Sequence, residues 1–280
     1  MLKTHFLKKL QSQYHEKKYL SSDPLEFVHR FSDPWDQEAV ALVSALLAYG
    51  NVKQIRNSIE TVLFRVSQHY SNPKNFVKSL QKTSGKKKAE VMFEGFVHRF
   101  NTGKDLVLLF KLLEMSWTKY GSLGAHFLSK VEPRDTTIEN SLSLLIADWK
   151  SWVGKSGNGM QTSFSYLLTS PQDGSCCKRW CMLLRWMIRK DELDLGLWTE
   201  NSPLRLTFPK EHYVRTDQLV IPLDTHTGRI SQHFGLTKRK TLNWQAALEV
   251  TEALKEFNAK DPVSYDFALS RLGIIEGKFS

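Results

Sequence analysis

Helical periodicity recurs along nearly the whole chain, and this feature constrains the fold more than any other. Apolar side chains return every three or four residues, as they do when one face of a helix packs on a core. The alternation of apolar and polar residues that marks a half-buried strand is nearly absent. The segment 53–70 shows the helical pattern in its apolar residues Ile55, Ile59, Val62, Leu63 and Val66. The sequence therefore predicts an all-α protein.

Turn and capping residues divide this pattern into separate helices. Asp33-Pro34 ends whatever precedes the first pair of helices, and Gly50-Asn51 separates the two members of that pair. Asp261-Pro262 opens the last helix, with proline at the first helical position after an aspartate cap. Helices are predicted at residues 36–49, 53–70, 86–100, 104–119, 137–152, 176–190, 225–234, 243–257 and 262–272.

Two stretches lack the helical pattern. The glycine-rich segment Gly154–Gly159 is predicted to be a solvated loop and the internal boundary, because it fits neither nucleotide-binding fingerprint. The parts on either side, 1–153 and 160–280, are expected to pack as one unit with a cleft. Residues 191–222 form an irregular excursion, in which LRLTF and QLVIPL are expected to make a short extended pair.

No apolar run reaches the roughly 18 to 20 residues that a membrane span needs, so no membrane association is expected. The first 20 residues carry basic side chains without a continuous apolar segment or a cleavage site. They are interpreted as an amphipathic helix rather than a signal peptide, and a cytoplasmic location is the default expectation.

Charge and cysteine content bear on the partners. The chain has 39 Lys and Arg against 29 Asp and Glu, a net charge of +10 that favours a polyanion such as DNA. Cys176, Cys177 and Cys181 lie too close together for a disulfide framework or a four-ligand zinc or iron–sulfur site. No metal and no dissociable cofactor are therefore expected.

Two segments carry candidate chemistry. In the first, 170–189, a turn of Ser, Pro, Asp and Gly opens onto a helix with Lys178 near its start. Unpaired amides at such a helix start bind phosphate oxygens. In the second, 219–235, Asp224 follows an apolar run and Pro222, where it can cap the next helix from a partly buried position.

These segments resemble the helix-hairpin-helix glycosylases and their lyase members. Gly174 to Lys178 stands in the G-x-x-x-K pattern that ends the hairpin, and Lys178 to Arg185 is similar to the archaeal-type 8-oxoguanine branch. Asp224, with its D-T-H segment before Arg229, matches the catalytic aspartate. ALVSALLAYGNVKQI resembles the first barrel helix and DPVSYDFALSRLG the closing helix. Taken whole, the chain is most similar to an uncharacterised bacterial family within or near that superfamily.

The resemblance implies a helix-hairpin-helix glycosylase-like bundle with an insertion before the catalytic aspartate. The implied activity is base excision with abasic-site lyase chemistry on damaged or abasic double-stranded DNA, and an oxidised purine is the first base expected as a substrate. The protein is expected to be a monomer. Lys178 would attack the sugar as the Schiff-base nucleophile, and Asp224 would stabilise the positive charge on the sugar. The nucleotide would have to flip out of the duplex. Expected DNA-binding residues are Gly174, Ser175, Arg179, Arg185, Asn51, His226 and Arg229.

The chain departs from this pattern in three places. Lys178 and Asp224 are 46 positions apart, which is much longer than in compact relatives. Cys176 replaces the second hairpin glycine, and Asn51 follows the first barrel helix where some relatives have a glutamine that probes the duplex.

Other interpretations stay open at this point. Lys178 alone could be a phosphate contact and Asp224 alone a helix cap. Arg185 could pair with nearby acids as well as with phosphate, and His226 could be a structural hydrogen-bonding residue. The alternative function is a non-catalytic DNA-binding module that retains the fold. A second alternative is a helical protein-interaction or RNA-binding scaffold.

Overall fold

A computed structural model of the chain describes residues 2–155, 160–202, 204 and 213–276. Helices dominate these residues, and the one sheet among them is a two-stranded antiparallel hairpin, β1 (Val97–His98) and β2 (Asn101–Thr102). The predicted all-α class is therefore confirmed. The helices are α1 (Leu2–Tyr14), α2 (Leu25–Val28), α3 (Pro34–Leu46), α4 (Val52–Ser67), α5 (Pro73–Ser79), α6 (Thr83–Met92), α7 (Gly103–Tyr120), α8 (Leu123–Leu128), α9 (Glu139–Lys155), α10 (Thr162–Ser165), α11 (Lys178–Ile188), α12 (Thr225–His233), α13 (Trp244–Lys255) and α14 (Asp266–Glu276).

Each predicted helix overlaps an observed one, but two predictions need correction. The helix predicted at 86–100 ends at Met92, because Gly95 adopts a left-handed φ of +70° and the chain then turns into the hairpin. The predicted aspartate cap at Asp261 is wrong. Its side chain is bound by Arg189 instead of capping a helix, residues Pro262–Tyr265 form a 3-10 turn, and α14 begins at Asp266.

Some predictions fall on residues that the structure leaves out. Residues 156–159 of the glycine-rich loop and 205–208 of LRLTF lie outside the described residues. The described residues of 191–222 contain no α-helix or strand and include one 3-10 turn, Thr216–Gln218.

Helix α3 is the central helix. It starts at a strong N-terminal cap, because the Asp33 carboxylate accepts hydrogen bonds from the backbone N–H groups of Trp35 and Asp36. From Ala39 to Ala48 every side chain is buried, since this helix packs against α2, α5 and α11. An apolar surface on all sides is what a helix in the middle of a core requires.

The buried carboxylate of Glu38 ties α3 to the irregular part of the chain. It accepts hydrogen bonds from the indole N–H groups of Trp117 (2.6 Å) and Trp198 (2.8 Å), and from the backbone N–H groups of Leu123 and Gly124 (2.9 Å each). Four donors offset the loss of solvent around a side chain that is fully buried.

Both parts of the chain share one apolar core. Helix α1 packs against α14, and α3 packs against α11, so each pairing joins the first half of the chain to the second. None of the described helices is long and apolar enough to cross a membrane.

Candidate active site

A cavity of about 510 Å³ lies where three segments meet. These segments are the end of α3 with the turn after it, the start of α11, and the start of α12. Helix α14 and the residues before α2 complete the lining. A volume of this size suits a small organic group such as one nucleotide. The cavity lining includes most of the residues that the sequence singled out, and the lining as a whole comes from both halves of the chain.

Lys178 is the first residue of α11 and lies on the cavity wall. Its Nζ donates a hydrogen bond to the carbonyl of Ala48 at 3.3 Å and lies 3.5 Å from Oδ2 of Asp224. About a quarter of the side chain (27%) remains exposed. The fold thus brings together two side chains that are far apart in sequence.

Asp224 has two roles at once. Its Oδ1 accepts a hydrogen bond from the backbone N–H of Thr227 at 2.9 Å and caps α12, while Oδ2 faces Lys178. Burial disfavours the charged carboxylate, but the positive charge of Lys178 and the bond from Thr227 outweigh it and lower the pKa of Asp224. The carboxylate is therefore ionised near neutral pH.

The loop before α11 makes a tight turn at Gly174. Gly174 adopts a left-handed φ of +74°, which glycine tolerates best. Ser175 pairs with Asn243 in an isolated β-bridge, and the N–H of Trp244 donates to the carbonyl of Gly174 at 3.3 Å. Cys177, the residue before α11, is also left-handed (φ +49°) and its side chain does not cap the helix. Cys177 therefore does not cap the first turn of α11.

Cys176 links this loop to the segment before Asp224. Its Sγ donates a hydrogen bond to the carbonyl of Leu223 at 3.1 Å, and burial raises the pKa of the thiol. The cysteine that replaces the expected glycine thus contacts the residue next to the candidate catalytic carboxylate.

Arg179 is buried in the cavity wall. Its guanidinium donates to the carbonyls of Leu46 (3.1 Å) and Tyr166, and its Cζ lies 4.2 Å from the ring centroid of Tyr166 and 5.1 Å from that of Tyr49. Burial lowers the pKa of this guanidinium. Its described contacts are carbonyls and aromatic rings.

Arg185 is almost fully buried and pairs with acidic side chains, while its contact to DNA stays a prediction. Only 2% of the residue is exposed. Its Nη1 donates to Asp266, and its Nε lies 3.3 Å from a carboxylate oxygen of Asp194. Of the two interpretations that the sequence left open, ion pairing is the one that the structure shows.

The remaining predicted residues lie at the rim or on the surface. Asn51 is exposed and caps α4 by accepting a hydrogen bond from the N–H of Lys53 at 2.8 Å. His226 and Arg229 are exposed on α12, and His226 lines the cavity. Gly174 is exposed and Ser175 is half-buried. Within the described ranges no group of three or more potential ligands has a metal-binding arrangement.

Sequence reasoning missed two parts of the site. One is an aromatic cluster of Tyr49, Phe100 and Tyr166, with ring centroids 4.7 to 5.5 Å apart. The other is the buried ion pair in which Arg271 donates to Asp23 at 3.0 Å, on the cavity lining. Its two residues are 248 positions apart, and no local pattern relates them.

A family model described as "Protein of unknown function (DUF2400)" matches residues 23–275. No curated protein and no solved structure matches the chain.

Proposed function

The chain belongs to the DUF2400 family of proteins of unknown function, and from its site we propose that it is a DNA base-excision glycosylase with abasic-site lyase activity. The fold proposed for it is a helix-hairpin-helix glycosylase bundle. The observation that carries this proposal is the position of the Lys178 amine, 3.5 Å from the Asp224 carboxylate on the wall of a cavity of nucleotide size.

This pair has the groups that the reaction needs. Lysine becomes a nucleophile when its ammonium loses a proton, and Asp224 is the adjacent base that can take it. The neutral amine then attacks C1′ of the sugar. The base leaves with the electrons of the glycosidic bond and takes the proton from Asp224. The C1′–O4′ bond then breaks, O4′ takes one of the two protons of the attached nitrogen by way of Asp224, and the ring-opened sugar is joined to Lys178 by a protonated Schiff base. The restored carboxylate stabilises the positive charge of that Schiff base.

The loop before α11 supports a phosphate contact. The left-handed Gly174 and the start of the eleven-residue helix α11 present backbone N–H groups, and the helix dipole favours an anion there. Lys178 at the first helical position lies close to any phosphate bound at this point. A nucleotide flipped into the cavity would therefore have its backbone held at the helix start and its sugar near the amine.

Part of the cavity lining is polar, which suits the edge of a base. Asp23 and Arg271 form one buried pair there, and Arg185 and Asp266 form another. The aromatic side chains of Tyr49 and Tyr166 line another part of the cavity. An oxidised purine is the first base to test, because the resemblance points to that class.

Borohydride trapping tests the proposal directly, since it reduces the Schiff base to a stable protein–DNA adduct. The purified protein is mixed with duplexes that carry 8-oxoguanine, uracil, thymine glycol or an abasic site. We expect an adduct on at least one of them, and we expect Lys178→Gln to abolish it. Lys190→Gln, which changes an exposed lysine just after the same helix, is the matched control and should trap like the wild type.

A wild-type protein that never traps overturns the lyase proposal. If it still binds duplex DNA with a strong dependence on salt, and Lys178→Gln and Asp224→Asn leave that binding unchanged, the protein is a non-catalytic DNA-binding module. Equal affinity for damaged and intact DNA would instead favour an interaction or RNA-binding scaffold.

A further inference from the structure

The β1–β2 hairpin presents two exposed side chains beside the cavity. Val97 pairs with Thr102 and His98 with Asn101, so Arg99 and Phe100 form a two-residue turn at the tip. Arg99 has a φ of +55°, which an L-residue seldom adopts. Phe100 is 45% exposed, and Arg99 is exposed and makes no ion pair with the residues that the structure describes.

The hairpin is anchored from behind. His98 is almost fully buried, where its Nε2 donates to the carbonyl of Tyr49 at 3.2 Å and its Nδ1 accepts from the hydroxyl of Ser58 at 2.8 Å. Asn101 is fully buried, accepts a hydrogen bond from the hydroxyl of Tyr49, and donates to the carbonyl of Ser163 at 2.7 Å. These buried contacts hold the tip in place. An arginine keeps a backbone conformation with positive φ only where the surrounding structure imposes it.

The tip lies at the cavity rim. The ring of Phe100 packs edge-on against Tyr166, with centroids 4.7 Å apart, and lies 5.5 Å from the ring of Tyr49. The side chain of Arg99 covers Gly50, because a methyl group built there would lie 3.1 Å from Cδ and Nη1 of Arg99. Tyr49, Gly50 and Tyr166 all line the cavity.

An aromatic ring and an unpaired cation lie side by side at this rim. Nucleic acid next to a flipped nucleotide offers a binding partner for each of them. Removing one nucleotide from the stack exposes the face of a neighbouring base, and aromatic side chains stack on such faces. Arginine binds the adjacent phosphate. We propose that the Arg99–Phe100 tip is a second DNA contact, in which Phe100 stacks on the base beside the flipped nucleotide and Arg99 binds a phosphate. This inference rests on the proposed function.

The affinity for a duplex that carries a tetrahydrofuran abasic analogue tests the stacking contact. Phe100→Ala should weaken binding by about tenfold or more, which is the size expected for losing one stacked base. Phe64→Ala is the matched control, since Phe64 is an exposed phenylalanine (62%) on α4 that does not line the cavity. It should bind like the wild type. Phe100→Trp keeps an aromatic face and should retain the affinity.

Salt dependence tests the phosphate contact. Arg99→Gln should reduce the magnitude of the slope of log K against log salt concentration by about 1, because one phosphate contact is lost. Arg134→Gln, at an exposed arginine that is not on the cavity lining, should leave the slope unchanged. Unfolding temperatures of all variants identify any loss of binding that comes from misfolding.

Trapping separates this inference from the proposed function. At protein concentrations well above the dissociation constant of each variant the abasic duplex is fully bound, so Phe100→Ala should still trap it, while Lys178→Gln should not trap. If the wild type traps but Phe100→Ala and Phe64→Ala bind the duplex equally, the inference is overturned and the proposed function stands. Loss of affinity in Phe100→Trp as large as in Phe100→Ala also overturns it. A wild type that neither traps nor binds DNA overturns both.

Discussion

The thiol of Cys176 donates a hydrogen bond to the carbonyl of Leu223 at 3.1 Å. Cys176 lies two residues before Lys178, and Leu223 lies immediately before Asp224. This bond therefore fastens together the two chain segments that carry the candidate catalytic pair. The cysteine departs from the glycine that the resemblance leads one to expect, and its side chain makes a contact that glycine cannot make.

Replacing Cys176 should loosen the pair. Cys176→Gly removes the donor and adds backbone freedom, so we expect slower borohydride trapping and a loss of about 1 kcal/mol in the free energy of unfolding. Urea unfolding and single-turnover trapping measure the two effects. Cys176→Ser keeps a donor of similar size and should trap at close to the wild-type rate. Trapping by Cys176→Gly as fast as by the wild type would show that the bond does not position the pair.

Two substitutions separate the roles of Asp224. The side chain of Asn can still accept the hydrogen bond from Thr227, so Asp224→Asn should keep the cap on α12 and lose only the negative charge. Its trapping should fall by about a hundredfold or more, as when other transition-state charge stabilisers are removed, with little change in stability. Asp224→Ala loses both roles and should cost about 1 kcal/mol more in the free energy of unfolding. Equal stability of the two variants would contradict the capping role.

Local patterns in the sequence predicted the long helices but not the short helices α2, α5, α8 and α10. The apolar spacing and the caps of the long helices depend on neighbours in the chain, and the capping aspartate of α3 was visible as Asp33-Pro34. The chain between Met92 and Gly103 shows the limit of this approach. Gly95 ends the helix, but the packing of His98 and Asn101 against Tyr49, which makes the following residues a hairpin, has no signal in the sequence.

The candidate site was predictable only in part. Lys178 and Asp224 stood out because each lies in a segment that resembles a family motif, and the structure brings them to one cavity. The partners of Arg185 could not be foreseen in the same way, because Asp266 and Asp194 reach it from distant parts of the chain. Tertiary ion pairs leave no periodic signal in a sequence.

Glu38 should be the most sensitive acidic residue of the core. All four of its described hydrogen bonds come from N–H donors, so the amide group of Glu38→Gln would place its own N–H groups against some of them. We expect a loss of about 2 to 4 kcal/mol in the free energy of unfolding, measured by urea denaturation. Glu60→Gln changes an exposed glutamate and should have little effect. A Glu38→Gln protein as stable as the wild type would show that these bonds contribute little.

The pKa of Asp266 is raised to about 6. Burial is the main cause, and the nearby carboxylates Asp224 and Asp23 add to it, while the Arg185 guanidinium opposes it. Because this pKa lies above that of an ordinary aspartate, the folded protein binds a proton more tightly than the unfolded chain. The contribution of Asp266 to the free energy of unfolding should therefore be largest below about pH 4. It should fall as the pH rises to about 6 and stay constant above that pH, with a total change of about 1 to 3 kcal/mol.

Asp266→Asn cannot titrate, so the difference in free energy of unfolding between it and the wild type should follow this curve. Urea denaturation from pH 4 to 7.5 measures that difference. A wild type that gains stability relative to Asp266→Asn over the same range would mean that Arg185 dominates and that the carboxylate is charged throughout.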